Sequence, residues 1–348
     1  MIPGADLDLL AKAVLSRYPT TDFPCLWDVI QSTEQPLAGQ RVLCGFPVFR
    51  NTLPLYWALR AAGADLEVIA APGVPIDPDV LTRLPGLGLT VTDVPGSSAF
   101  DIVMDCAGPL SHVPASSGYV ELTKSGEAAY TDHSRPVYLV DAGSIKHIET
   151  SLGTGDGFVR GLRHYGYRDL TGHSIVIFGA GKVGSGVAVR AAAEGARVTL
   201  IDSRSPVAAD QFTRLSADDE SAIRQAVSTA WCIVSATGVE GALHRFAPDL
   251  CASSAVLANM GAFDEFGPEV PIERVLNGKI PVNFVLDEPT RLRYIDPSLA
   301  LAVAGAVELA AGRLHPGINV PTRAVERQVL EPARRHGDIR QELAAVGI

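Results

Sequence analysis

Residues 174–202 read SIVIFGAGKVGSGVAVRAAAEGARVTLID, and this stretch decides the fold. Ser174–Phe178 is a short apolar run, rich in β-branched residues, of the kind that forms a buried strand. It leads straight into the G-x-G-x-x-G turn Gly179-Ala180-Gly181-Lys182-Val183-Gly184 and a helix over Gly184–Glu194 that ends at Gly195. In such a turn Gly179 permits the tight bend, and Gly181 lets the backbone approach a pyrophosphate. Gly184 allows close helix–strand packing, and the helix N-terminus faces the phosphates. Arg197–Asp202 is the next strand, and Asp202 closes it about 20 residues beyond the motif, where an acid binds ribose hydroxyls. A carboxylate there repels a 2′-phosphate, so the expected cofactor is NAD; Arg204, two residues later, works against that preference.

Outward from this core the α/β alternation continues in both directions. Trp231–Ser235, Ala255–Asn259 and Pro281–Leu286 read as further strands. In the first half Arg41–Gly45, Leu66–Ala71, Asp101–Asp105, Tyr119–Leu122 and Val137–Asp141 do the same, with a helix over Thr52–Ala62. The Pro- and Gly-rich segment Ala71–Gly96 reads mostly as turns. Leu299–Arg313 is an Ala- and Leu-rich helix, followed by a charged helical end. The expected fold is α/β with two domains: a Rossmann-type doubly wound parallel sheet over 151–299, and a second, substrate-binding α/β domain over 1–150. The C-terminal helices of 300–348 are expected to return to that second domain. The hinge is placed at Glu149–Gly161, where SLGTGDG reads as a Gly-rich break.

Composition narrows the class. The 348 residues are 47% hydrophobic and 20% charged, with a formal net charge of -10. An acidic chain without a basic stripe argues against nucleic acid or an anionic membrane as partner. No apolar run of about 18 residues occurs, and the N-terminal stretch is acidic where a secretory signal would be basic. A cytoplasmic protein is expected. The five cysteines lack C-x-x-C spacing and the eight histidines show no H-x-x-x-H, so no metal site is expected. A G-x-S-x-G nucleophile turn is likewise missing. Only Lys12, Lys124, Lys146, Lys182 and Lys279 carry an amine, which makes each lysine worth locating.

Around the motif the sequence resembles the S-adenosylhomocysteine hydrolase (adenosylhomocysteinase) family, from about Ser144 to Phe266. Ser144-Ile145-Lys146-His147-Ile148-Glu149-Thr150 is similar to the family's Ser-Val-Thr-Lys segment and its following acid. Gly179 to Ala188 resembles its G-x-G-x-V-G-x-G-x-A, Ala236-Thr237-Gly238 its T-T-G turn, and Asn259-Met260-Gly261-Ala262-Phe263-Asp264 its N-I-G-H-F-D. Upstream, VMDCAGPL (103–110) and GYVELTKSG (118–126) are fainter echoes of two acidic family segments.

The resemblance implies a retained NAD through which a sugar hydroxyl is oxidised to a ketone. The ketone acidifies the neighbouring C–H, a base removes that proton, the β-substituent leaves, and the ketone is finally reduced again. It implies Lys146 at the reacting hydroxyl with Glu149 orienting it, and Asp105 and Glu121 as further catalytic groups. It also implies cofactor contacts from Gly179, Gly181, Lys182, Val183, Gly184, Asp202, Thr237, Gly238, Asn259, Gly261, Thr123 and Thr150, and a homo-oligomer. The departures fall on the substrate side. Phe46-Pro47-Val48-Phe49-Arg50-Asn51-Thr52 stands where the family has a His and polar residues, one acid of an adjacent pair is Cys106, one Glu is Leu122, and the His after N-I-G is Ala262. A nucleoside-type substrate with a different leaving group, water included, follows from that pattern. A true adenosylhomocysteine hydrolase, a plain NAD-dependent dehydrogenase and a non-catalytic NAD-binding regulator stay open as alternatives.

Overall fold

The computed structural model describes residues 4–92, 100–203 and 212–345; Arg204 lies outside the described residues. The chain forms two compact units, one of residues 1–148 with 292–348 and one of 149–291. The first holds strands β1 (Arg41–Cys44), β2 (Asp65–Ile69), β3 (Thr90–Thr92), β4 (Phe100–Asp105), β5 (Ala115–Glu121) and β6 (Pro136–Leu139). The second holds β7 (Ser174–Phe178), β8 (Arg197–Asp202), β9 (Thr213–Ser216), β10 (Cys232–Ser235) and β11 (Val256–Asn259). The returning segment adds β12 (Gly317–Asn319) to the first unit.

Both sheets are parallel throughout. Their strand orders are β12-β6-β5-β4-β1-β2-β3 and β11-β10-β7-β8-β9. Each sheet begins at an inner strand and winds outward both ways, so the chain reverses between β1 and β4 and again between β7 and β10. At such switch points the loops part, and a crevice opens at the carboxyl ends of the strands.

Strand β7 shows why the second unit forms. Ile175 and Ile177 face one way, onto Val187, Ala188 and Ala191 of the helix Lys182–Ala193 and onto Phe158 and Leu162. Val176 and Phe178 face the other way, onto Ile223, Val227, Phe246 and Leu250. A strand covered on both faces has no polar position to spare, hence the unbroken apolar run. Cys44 and Cys232 are fully buried in β1 and β10, as small core residues.

Several expectations are corrected. The Gly-rich stretch 149–161 is no break: the chain is helical without interruption from Lys146 to His164, with a π turn at Ile148–Gly153 and an α-helix at Thr154–His164. Its glycines serve close packing. A Cβ on Gly155 would meet the Gly186 carbonyl oxygen at 2.5 Å, and one on Gly157 the Pro289 oxygen at 2.6 Å. Tertiary contact thus overrides a propensity cost of roughly 1 kcal/mol per glycine. Pro281–Leu286 is not a strand but a 3-10 turn at Val282–Val285, pressed against the Gly157/Gly161 face of that helix. The fifth strand of the second unit is instead β9, a polar edge strand with little apolar signal. β3 and β12 are also additions, and the helix expected from Leu299 begins at Leu292 and ends at Ala310. Among the described residues no helix is long and apolar enough to cross a membrane.

Candidate functional site

At the second unit's switch point the turn after β7 is built as its glycines require. Gly179 sits at φ +99, and a Cβ there would run into the Ala236 carbonyl oxygen. Gly184 lies against the Gly179 carbonyl with no room for a side chain, which seats the first turn of the helix Lys182–Ala193 on the loop. Gly181 is different. Its backbone (φ -72, ψ -167) suits any residue, and a Cβ there would meet nothing within 4 Å. The space beside Gly181 is open where a pyrophosphate must approach the helix N-terminus, so the residues present fit a dinucleotide. Lys182 and Val183 form the first helical turn, with Val183 half-buried against the core. Asp202, at the end of β8, accepts a hydrogen bond from the Ala180 N–H at 2.6 Å, which fixes its carboxylate beside the Gly-rich turn.

The opposite wall of the crevice is held by a residue absent from the sequence-based set. Glu265 is fully buried and accepts hydrogen bonds from Thr237 N–H (2.8 Å), Thr237 Oγ1 (2.9 Å) and Gly238 N–H (2.7 Å). A Cβ on Gly261 would collide with its carboxylate. Burial raises the Glu265 pKa, opposed by those donors. Asn259 works beside it. Its Oδ1 accepts from Ser235 Oγ and Gly261 N–H, and its Nδ2 donates to the carbonyls of Gly261, Phe263 and Lys279. Thr237, Gly238, Asn259 and Gly261 are therefore brought together, with Asn259 and Gly261 forming the support behind the turn. The acid one position past Asp264 was the available clue, but nothing in a linear sequence marks it as buried.

The Lys146 turn lies at the junction in sequence between the units. Lys146 is 2% exposed and is the last residue but two of the first unit's N-terminal stretch. Glu149 and Thr150 are half-buried and belong to the second unit, inside the π turn. One residue further, Ser151 Oγ donates to the Lys182 carbonyl at 3.0 Å, and a Cβ on Gly186 would strike the Ser151 backbone. The turn that carries Glu149 and Thr150 is thereby fastened to the cofactor motif. π turns are rare and recur at functional sites.

In the first unit Asp105 and Glu121 are neighbours in register at the carboxyl ends of β4 and β5, and both are fully buried. Asp105 accepts from Cys106 N–H, Leu110 N–H and Tyr130 Oη. Glu121 accepts from the N–H groups of Ala107, Gly108 and Thr123 and from Thr123 Oγ1. Burial raises both; Glu121 is pushed up to about 7, against the lowering by its donors. Thr123 thus joins the Glu121 network, and its hydroxyl also accepts from Ala107 N–H. These groups clamp the loop 106–110, in which Ala107 holds a left-handed φ of +66.

A family model described as "Putative NAD(P)-binding" matches residues 167–266, which are the Gly-rich turn, Asp202, Thr237 and Asn259 with their strands. Adenosylhomocysteinase from Thermoplasma acidophilum is 26% identical over 184 residues, 52% of this chain and 44% of that protein, less than half its length. Adenosylhomocysteinase from Thermotoga maritima is 27% identical over 323 residues, 82% of this chain and 77% of that one. The chain is a distant relative of the adenosylhomocysteinases. Among solved structures, a dipicolinate synthase component from Bacillus halodurans superposes with a TM-score of 0.49 at 11% identity, covering 78% of this chain and 98% of that one. Transhydrogenase from Sinorhizobium meliloti gives 0.47 at 14% identity, covering 79% and 96%. The second unit is a Rossmann-type NAD(P)-binding unit.

Proposed function

We propose that this protein is an NAD-dependent enzyme of the adenosylhomocysteinase type acting on a nucleoside-type substrate. A sugar hydroxyl is oxidised, the proton on the adjacent carbon is abstracted, and the β-substituent leaves, water being the leaving group favoured here. The observation that carries this reading is Lys146, one of five lysines, buried where the chain enters the turn fastened to Lys182.

Gly179, Gly181, Gly184 and the N-terminus of the helix Lys182–Ala193 would hold the pyrophosphate, Asp202 the adenosine ribose, and Thr237–Gly238 the far half of the dinucleotide. When bound, NAD supplies a reversible two-electron acceptor at the sugar carbon. Lys146 takes the hydroxyl proton at Nζ and returns it when the carbonyl is reduced, a task suited to an amine freed of water. Glu149 is the carboxylate assigned to orient it, and Thr150 lines the same turn. The first unit is assigned to the substrate. There Asp105 and Glu121 act through the loop 106–110 that they clamp, because their oxygens already accept backbone donors. A homo-oligomer and a cytoplasmic setting belong to the same reading.

Two experiments test it. Lys146→Met should lower turnover by about 10²–10⁴, the loss expected for a positioned general base, while NAD binding is unchanged. With substrate deuterated next to the oxidised carbon, elimination predicts loss of deuterium to solvent while reduced cofactor stays below one equivalent. Retained label with stoichiometric reduced cofactor would make the protein a plain dehydrogenase.

A further inference from the structure

The first unit ends in a device with no counterpart in the sequence motifs. β12 pairs in parallel with β6, Asn319 opposite Tyr138. Parallel neighbours release their chains on the same edge of the sheet, so the segment after β12 emerges beside the segment after β6. The first of these runs through Thr322, whose Oγ1 caps the helix Arg323–His336 by accepting from Val325 N–H at 3.3 Å. The second is Asp141–Ile145, the approach to Lys146. In the first turn of that capped helix stands Glu326, 8% exposed. Its Oε1 accepts from Ile145 N–H at 2.9 Å and from Ser144 Oγ at 3.0 Å.

Ile145 is the residue just before the helical run that begins at Lys146. The first N–H groups of a helix have no partner within it and must be met from outside. Glu326 meets one of them with a carboxylate, which also suits the positive end of the helix dipole. Gly143 completes the fit, since a Cβ there would collide with Glu326 Oε1 although its backbone (φ -88, ψ 170) accepts any residue. A residue 181 positions away in sequence therefore fixes where the Lys146 turn starts.

We infer that Glu326 is the positioning residue of Lys146, and that the C-terminal segment returns to the first unit through β12 in order to deliver it. The catalytic meaning of this tether rests on the role proposed above for Lys146; the tether itself does not.

The test is competitive acetylation of the NAD-loaded protein with trace acetic anhydride, read peptide by peptide by mass spectrometry. The other four lysines give internal references, with Lys12 and Lys124 exposed and Lys182 and Lys279 half-buried. Glu326→Ala removes the charged acceptor and should raise labelling of Lys146 about tenfold or more, the other four lysines staying as they were. Glu326→Gln keeps an acceptor oxygen at Oε1 and should stay near the native rate. Gly143→Ala, which displaces the carboxylate without altering its charge, should reproduce the rise, and it decides the matter alone should Glu326→Ala fail to fold. Unchanged Lys146 labelling in the folded variants overturns the inference, as does a rise in Glu326→Gln equal to that in Glu326→Ala. A rise at all five lysines also overturns it, since that marks general loosening. If Lys146→Met leaves turnover intact, the functional reading falls while the labelling result stands.

Discussion

The two units share one topology and differ in what fills its switch point. Both sheets are parallel and wind outward from an inner strand, β1 in the first and β7 in the second. In the turn after β7, Gly179 is closed over by the Ala236 carbonyl, but Gly181, two residues on, has nothing near its missing side chain. After β1, Gly45 is closed by Leu110 Cδ1 and by Ala71 Cβ at 3.2 Å, and Phe46, Pro47 and Val48 follow it. Phe46, Val48 and Leu110 bury themselves at the closed end. Topology alone thus does not make a dinucleotide site. The opening depends on whether the loop after the first strand leaves its backbone uncovered or roofs it with its own side chains. Yet both units stiffen the next loops alike, with a buried glutamate accepting two or more backbone N–H groups and a threonine hydroxyl: Glu121 in one and Glu265 in the other.

The largest expected effect follows from the two glycines. Gly181→Val should abolish NAD binding, with affinity down by more than about 100-fold, because its side chain fills the space the pyrophosphate needs. Melting temperature and circular dichroism should hardly move, since the site is open and the backbone angles are ordinary. Gly45→Val should do the reverse, destabilising the first unit by about 1–3 kcal/mol through overpacking and leaving NAD affinity intact. Wild-type NAD affinity in Gly181→Val, measured by calorimetry, would sink the cofactor assignment.

How far this division was legible in sequence depends on the unit. The order SIVIF, G-x-G-x-x-G, helix, strand, Asp202 is local, and local order is what a sequence displays. The first unit's strands were legible too, except β3 and β12, which are three residues each and carry too short a pattern. Gly155, Gly157 and Gly161 misled because glycine reads as a break until the backbone it admits is known. Glu265 and Glu326 were invisible for a related reason. Each is an ordinary acid in sequence, and only tertiary structure shows the N–H groups converging on it. Pro281–Leu286 failed as a strand because an apolar run alone does not separate a sheet position from a turn packed on a helix.

Asp202 gives the next effect. Asp202→Ala removes the carboxylate fixed beside the turn by Ala180 N–H. NAD affinity should fall about 10-fold, the range of a charge-assisted hydrogen bond, and the preference over NADP should narrow because the repulsion of a 2′-phosphate is gone. Titration with both cofactors checks this; an unchanged NAD/NADP ratio would move the discrimination elsewhere.

The matched glutamates offer a smaller test of whether the shared stiffening serves the same end. Glu265→Gln turns one acceptor into a donor facing Thr237 or Gly238 N–H, so the turn must shift. NAD affinity should drop by about 3- to 10-fold. Glu121→Gln disturbs loop 106–110 in the same manner and should leave NAD affinity unaltered while lowering turnover. Equal loss of NAD binding in both variants would overturn the proposed assignment of cofactor to the second unit and substrate to the first.

The smallest effect concerns pH, and its sign follows from burial. Glu121 is pushed from 4.5 to about 7, and Asp296 from 3.8 to about 7, in each case chiefly by desolvation. Asp296 is fully buried and accepts from Cys25 and Leu26 N–H at 2.9 Å each, holding the start of the helix Pro24–Gln31. Between about pH 4 and 7 these two groups keep their protons in the folded chain and lose them in the unfolded one. The folded state then binds more protons, so their contribution is complete below about pH 4 and is lost as pH rises through about 7. The second unit has only Glu265 of this kind among the described carboxylates, raised by the same cause. The first unit should therefore lose stability faster than the second between pH 5 and 7.5, by a few degrees in melting temperature. Hydrogen exchange followed peptide by peptide separates the two units. Asp296→Asn cannot ionise, so it should be less stable at every pH yet flatten the first unit's slope. An equal slope in wild type and Asp296→Asn would mean that Asp296 titrates in the folded protein as it does in the unfolded chain, and the difference between the units would then need another source.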